Sequence, residues 1–383
     1  MSDETAKTEA PASPALAPAP AAVTPPSATL ATSAQQSAPP RYDYKKTVYM
    51  RFVMLVAGLL ACAVLMVIDL LTGSANLAVN EVFCALTQWC EASDMARVVV
   101  LTYRMPSSLM ALGVGASLGV AGAIMQTILR NPLASPYTLG ISAGAGFGAA
   151  LTIVAGIGIS AGMGRWLVPF NAFLFAILSS FLIYIIGAAK KLTPGAMILG
   201  GIGLSFMFGA LQSMLQYAAS AEQNQSIVFW LFGSLSRAET STAVAMLMLV
   251  AAAFPVLVAN AWKFTALQLG DEKATGLGIN VKRLRILGFG MASLLTAVAV
   301  SFVGTIGFIG LAGPHIARML VGEDQRFFMP LASIFGAAIL LLASIVSKVI
   351  VPGFVFPIGI VTSLIGVPVF FSVLLSKKRS YFS

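Results

Sequence analysis

Charge is what this sequence has least of. Only 10% of its residues are Asp, Glu, Lys or Arg, 58% are hydrophobic, and the mean hydropathy is +0.90. A soluble domain carries about 25% charged residues, so a soluble globular fold is excluded and an all-α, polytopic membrane protein is expected. Histidine occurs once, at His315. One imidazole supplies neither a metal-ligand set nor a nucleophilic triad, so it reads as a structural residue. No GxxxxGK[ST] phosphate loop is present, so the chain does not bind ATP in that way. The glycine clusters near Gly144 and Gly276 do not follow a strand, so they are not dinucleotide fingerprints, and no cofactor or metal is expected. Acidic residues are also missing where an ion-driven carrier keeps them. Of 14, only Asp69 falls in an expected span, near its outer end. That lowers the carrier class, although an ion site of backbone carbonyls stays open. Of three cysteines, Cys62 lies in an apolar run and reads as inert packing. Cys84 and Cys90 lie in the first loop and read as free thiols, pairing only if that loop meets an oxidising compartment.

What is present is long, apolar and interrupted by basic residues. Residues 1–40 contain 12 Ala and 8 Pro. They cannot bury enough surface to offset ordering, so 1–46 is expected to be a disordered cytoplasmic tail, with 47–383 the transmembrane domain. The tail also lacks the layout of a signal peptide. The net charge of +9 is spread singly or in small groups between apolar runs, which is membrane orientation and not a nucleic-acid patch.

The first span runs outward to about Leu71, behind Arg41, Lys45, Lys46 and Arg51. Uncharged windows then cover 105–129, 131–164, 166–189, 192–221, 240–262, 286–317, 327–347 and 349–376. A span needs roughly 20 residues, so most windows hold one helix. Window 286–317 lies between Arg285 and Arg318, which both favour the cytoplasm, so the chain must cross twice there. Gly304, Gly307, Gly310 and Gly313 supply the break, with a full helix before and a short one after. The count comes to about ten spans. It leaves 18 of the 23 basic residues and both termini cytoplasmic, with Arg97, Arg104, Arg165, Arg237 and Lys348 outside. Gly115 and Gly119, and Gly140, Gly144 and Gly148, are four apart, a spacing that lets helices approach closely within one protomer.

Trp262–Arg285 is the one long polar run inside the apolar region. Ala266, Leu269, Ala274 and Leu277 recur at roughly helical spacing, and Gly276 and Gly278 break it. It reads as two short amphipathic helices with a glycine bend, suited to being held by a partner, or as a solvated loop between spans.

The segment Arg104–Ala149, RMPSSLMALGVGASLGVAGAIMQTILRNPLASPYTLGISAGAGFGA, resembles the permease subunit of iron-siderophore, haem and cobalamin ABC importers, the FecCD type of type II importer. LGDEKATGLGINVKRLR is similar to the coupling region of that family. FVGTIGFIGLAGPHIARMLVGEDQRFFMP and FPIGIVTSLIGVPVFF are similar to its closing helices, so the resemblance covers roughly residues 50–377. It implies a ten-helix permease that dimerises, with two cytoplasmic ATPase subunits beneath and a solute-binding protein docking outside. Leu269, Gly270, Asp271, Glu272, Ala274, Leu277 and Gly278 then fall in the ATPase-coupling element, where Asp271 and Glu272 cap a helix or meet basic groups of the ATPase. Gln126, Asn131 and Pro132 fall on the family's Q…NPLA motif, at the cytoplasmic end of the second span. There they form a gate on the translocation pathway or a structural turn, since Pro132 and Pro136 prevent a continuous helix.

The departures from the family pattern cluster. Ser107 stands where a second arginine of R-x-P-R is usual, Ser344 and Lys348 where an Asp and an Arg are usual, and Val355 where a Glu is usual. All four fall at the expected outer mouth, where Arg104 and Lys348 keep a charge for binding-protein docking. The function expected is a membrane-spanning permease carrying a ferric siderophore, with no catalysis of its own. Haem or cobalamin import is the alternative within the family, and an ATP-independent secondary transporter the alternative outside it. A scaffold without transport has no sequence support. Met125, Met207 and Met214 read as cavity lining or as core filling.

Overall fold

The computed structural model describes residues 44–156, 161–351 and 353–375. The expected tail lies outside these except for its last three residues, as do Lys377, Lys378 and Arg379 near the C-terminus. α1 (Tyr44–Leu71) is followed by two short helices, α2 (Val79–Thr87) and α3 (Asp94–Val98). A π-helical turn, Val99–Arg104, joins α3 to α4 (Met105–Leu129). Next come α5 (Ile141–Ala155), a 3-10 turn over Ala161–Trp166, α6 (Leu167–Ala189), α7 (Pro194–Ala218) and α8 (Ala221–Leu231). α9 (Thr240–Leu267), α10 (Asp271–Gly276), α11 (Val281–Val303), α12 (Ile309–Val321), α13 (Gln325–Val349) and α14 (Ile358–Leu375) complete the chain. Among the described residues there is no strand.

Among the described residues, seven helical runs are long and apolar enough to cross a membrane: α1, the continuous run Asp94–Leu129, Gly164–Ala189, α7, the first 20 residues of α9, α11 and α13. α5, α12 and the first part of α14 are shorter apolar helices.

α4 is the axis, buried on nearly every side. Its one-letter pattern is rich in Gly, Ala and Ser because its neighbours come within backbone contact. A Cβ on Gly336 of α13 would fall on the carbonyl of Gly115, and one on Gly119 would fall on the carbonyl of Ala332. Only glycine permits that crossing, and in lipid such close packing drives helix association. On α5, a Cβ at Gly144 or Gly148 would press on the Phe175 or Asn171 carbonyl of α6. Both glycine series therefore pack within one chain.

α1 packs differently. Its apolar residues Phe52, Leu59, Leu60 and Val64 point outward and are exposed, as a lipid-facing helix requires. It runs parallel to α13, with the Cys62 thiol donating to the Ile334 carbonyl at 3.3 Å. An ion pair fixes it near each end: Arg51 to Asp324 at 3.1 Å, and Asp69 to Lys348 at 2.7 Å.

Four differences from the sequence reading have physical causes. The second span begins at Asp94 and not after Arg104, because the guanidinium turns inward and the helix continues through it. Pro106 has no N–H for the carbonyl four residues back, and the wider π turn falls just before it. α8 is too polar for a hydropathy window; Ser220 and Gln223 cap it reciprocally. Cys84 and Cys90, expected as free thiols, are joined, with Cα atoms 5.0 Å apart: α2 ends at Thr87 and the left-handed Gln88 turns the chain back. The polar run forms one short helix, α10, and not two, because its two ends continue α9 to Leu267 and begin α11 at Val281, and Gly270 and Gly278 turn the chain on either side of α10.

The predicted break in window 286–317 is present. α11 ends at Gly304, whose φ of +77° suits glycine, and α12 starts after Phe308. The break is buried, and neighbouring chain segments bond to it and to one another. Ser234 N–H donates to the Val303 carbonyl at 2.7 Å, Thr305 Oγ1 donates to the Leu231 carbonyl, and Gly359 N–H donates to Phe232 at 2.9 Å. Irregular backbone at membrane depth is tolerated in this way, buried in protein or lining a cavity.

Candidate functional site

Two regions at opposite ends of the bundle collect the sequence-predicted residues. At one end the unwound segments border a cavity of about 430 Å³. Its walls come from the loop after α1, the π turn, the segment Gly233–Arg237, the last turn of α13, and the segment leading into α14. Arg104, Ser107, Ser344, Lys348 and Val355 all line it, so the positions singled out at the outer mouth share one site.

The charges there are largely committed to internal bonds. Arg104 is 5% exposed. Its guanidinium donates to the carbonyls of Leu70, Leu71 and Ala75, closing the end of α1 and the loop after it. A left-over carbonyl row at a helix C-terminus is a natural seat for a cation. A side chain on Gly73 would press on that guanidinium. Lys348 Nζ donates to Asp69 Oδ1 at 2.7 Å, and Ser108 Oγ donates to Asp69 Oδ2. Asp69 is 0% exposed and the Lys348 side chain 10%. The lone acidic residue of the expected spans is thus neutralised by a lysine from α13. Arg237, which sequence reasoning did not single out as a site residue, is the exposed cation among the cavity-lining residues. Its position in a short polar loop gave no periodic signal.

At the other end, α10 sits between the last turn of α9 and the first turn of α11. Gly270 precedes it with φ +105° and Gly278 follows with φ +79°, both left-handed, so the chain reverses sharply on each side. Ala274 and Ile279 seat in the core, while Leu269, Glu272, Leu277 and Gly278 are exposed. The seven predicted coupling residues therefore divide between an outward and an inward face.

Asp271 belongs to the inward side. Arg285 Nη1 and Nη2 donate to its two carboxylate oxygens at 2.9 and 2.8 Å. Arg285 Nε also donates to the Ile128 carbonyl at 3.3 Å, and Arg130 lies 3.5 Å from Asp271. Both Ile128 and Arg130 belong to the end of α4, next to the predicted Gln126, Asn131 and Pro132. Gln126 is buried and its Oε1 accepts from Arg318 Nη2 at 2.9 Å. Asn131 Oδ1 accepts from the Leu133 N–H at 2.9 Å, an Asx turn, and Pro132 is exposed beside it. Met125 lies in the core, whereas Met207 and Met214 are exposed on α7; none lines the cavity. Among the described residues no three metal-ligating side chains cluster.

The arrangement is a bundle with a basic-walled cavity at one end and a protruding short helix at the other. The pattern that defines the FecCD transport family matches residues 60–376. An ABC transporter permease protein of Methanocaldococcus jannaschii is 38% identical over 342 residues, covering 88% of this chain and 96% of that protein. The permease protein of an Fe(3+)-citrate import system in Bacillus subtilis is 32% identical over 335 residues, covering 88% and 99%. Further relatives are named for hemin and cobalamin import. A solved structure titled as an inward-facing conformation of a metal-chelate type ABC transporter superposes with a TM-score of 0.74 at 31% identity, over 85% of this chain and 99% of that one. A match that spans the bundle from the middle of α1 to the end of α14, including both the cavity and α10, places the chain in the FecCD transport family, as a multi-pass ABC-importer permease of the plasma (inner) membrane.

Proposed function

We propose that the chain is the permease of an importer that moves a ferric siderophore inward, driven by ATP hydrolysed on a separate cytoplasmic subunit. The observation that carries the ATP-driven part of this reading is α10, a short helix set between two long ones and presenting Leu269, Glu272 and Leu277 outward. An amphipathic knob of this kind fits a groove on a partner and passes on its movement as a push. The chain has ten spans, with the α10 end and both termini in the cytoplasm, and it works as a dimer with an identical or related permease.

The cavity end faces outward and receives a solute-binding protein. Arg104 and Lys348 belong to that docking mouth, and the structure spends both on internal bonds, so they shape its walls. Arg237 supplies exposed charge for a carboxylate on the incoming protein. Rim pairs of this sort govern on-rate and salt dependence more than affinity. Gln126, Asn131 and Pro132 border the pathway at the cytoplasmic end. Haem or cobalamin is the alternative cargo, from the relatives that carry those names.

The test is uptake of radioiron-labelled ferric hydroxamate into vesicles containing the permease, its co-purifying ATPase and its binding protein. Uptake that requires ATP, and that excess haem or cobalamin does not compete away, supports the reading. Competition by either would change the cargo. Uptake that ignores ATP and follows a proton gradient would overturn the importer mechanism.

A further inference from the structure

Asp271 and Glu272 were both expected to cap a helix or meet basic groups of the ATPase, and the structure gives them different surroundings. Glu272 is exposed. Asp271 has both carboxylate oxygens occupied by Arg285, whose side chain is 4% exposed against 42% for Asp271. A bidentate carboxylate–guanidinium pair fixes orientation as well as distance. The same guanidinium reaches the Ile128 carbonyl, and Arg130 adds a second cation to Asp271. The last turn of α4 is also held by α12, where Gln126 accepts from Arg318. One helical turn, residues 126–130, thus receives α10, directly at Arg130 and through Arg285 of α11, together with α12.

Resting on the reading of α10 as the ATPase-facing element, we propose that Asp271 and Arg285 are positioning residues that carry the displacement of α10 to the last turn of α4. They are not contacts to the ATPase. Leu269, Glu272 and Leu277 make the outer contact, and the clip behind them turns their movement into movement of Arg130, Asn131 and Pro132. An aspartate with one face in solvent and a buried arginine behind it suits this task. The pair is rigid in direction, yet α10 has no apolar layer to lock it against the bundle beyond Ala274 and Ile279.

The experiment uses the assembled permease–ATPase complex in lipid nanodiscs. The probe is a cysteine at the exposed Leu133, in the turn after α4. Cys62 is buried and Cys84 and Cys90 are joined, so the background labelling is low. The rate at which a thiol reagent labels Leu133→Cys is measured with and without a non-hydrolysable ATP analogue. In the parent, nucleotide is expected to change the rate at least fivefold. Asp271→Asn is expected to hold the ATPase within about twofold of the parent affinity while the nucleotide response disappears, and Asp271→Glu to restore most of it. Leu277→Asp is expected to weaken ATPase binding about tenfold. Should Asp271→Asn fail to fold, Arg285→Lys keeps the buried charge without the fork and is read by the same criteria.

The proposal is overturned if Asp271→Asn weakens ATPase binding as much as Leu277→Asp does, because Asp271 would then be a contact. It is also overturned if nucleotide leaves the parent labelling unchanged, or if the response survives in Asp271→Asn. Unchanged ATPase binding in Leu277→Asp is a different failure, since it removes α10 itself from the interface.

Discussion

The molecule holds two acid–base pairs that look alike on paper and differ in setting. Asp69–Lys348 is closed off at 0% and 10% exposure, joins α1 to α13, and has Ser108 on its second oxygen. Asp271–Arg285 is buried on the arginine side only and joins the six-residue α10 to α11, whose arginine also reaches the end of α4. A shut pair meets little solvent, so it serves cohesion. A half-open pair at a protruding element can be pulled. The same chemistry is thus a rivet at one end and a linkage at the other, and burial decides which.

That contrast is broken most directly at the rivet. Replacing Asp69 with Asn leaves Lys348 buried without its counter-charge, and the expected loss is about 3–5 kcal/mol. It is read as a large fall in the midpoint of thermal unfolding in detergent. Removing both charges, Asp69→Leu with Lys348→Met, is expected to restore most of that loss, because a well-packed apolar pair avoids desolvation altogether. If the double variant melts no higher than the single, the pair is more than a rivet.

The linkage should cost less to cut. Asp271→Ala is expected to lower stability by about 1–2 kcal/mol: Arg285 is buried, but Asp271 is 42% exposed, so water can take the place of its carboxylate at the guanidinium, and Nε keeps the Ile128 carbonyl. A loss equal to that of Asp69→Asn in the same melting assay would erase the distinction between the two pairs.

The smallest expected effect lies at the other end of α1, where Asp324 pairs with Arg51. Burial pushes the Asp324 carboxyl up, but hydrogen bonds from the Arg326 side chain and backbone, with the charges of Arg326 and Arg51, more than offset it. Its folded pKa is therefore below the ordinary carboxylate value. Stability from a depressed carboxylate is full above the unfolded pKa, near 3.9, and is lost as pH falls through the folded one. Asp324→Asn should thus melt about 1 kcal/mol lower at neutral pH, with the gap closing below pH 4. A gap that stays constant through that range would mean the carboxylate charge is not what holds α1.

Much of this was legible in the residues. Glycines at 304, 307, 310 and 313 announced a helix break because backbone freedom is local information, and the break begins at Gly304. Glycines four apart announced close crossings for the same reason. The positions where the chain departs from its family's charge pattern pointed to one mouth, and Arg104, Ser107, Ser344, Lys348 and Val355 line one cavity. What failed to show was pairing across distance. Asp69 and Lys348 are 279 residues apart, and no spacing rule joins them. Asp271 and Arg285 are only 14 apart, but the left-handed Gly278 lies between them, so no helical register connects them. The thiols at 84 and 90 were misread because spacing carries no information on redox compartment. α8 escaped because a capped, amphipathic helix does not stand out in average hydropathy.

The glycine seam between α4 and α13 sets where the bundle can yield. Two helices slide past each other over the side chains between them, and at Gly115, Gly119 and Gly336 there is no such layer. The α5–α6 crossing, at Gly144 and Gly148, is equally bare. Each seam therefore behaves as a weld, which sorts the helices into a block around α4 and α13 and a second block around α5 and α6. Slip planes remain only where full-sized side chains stand between the blocks.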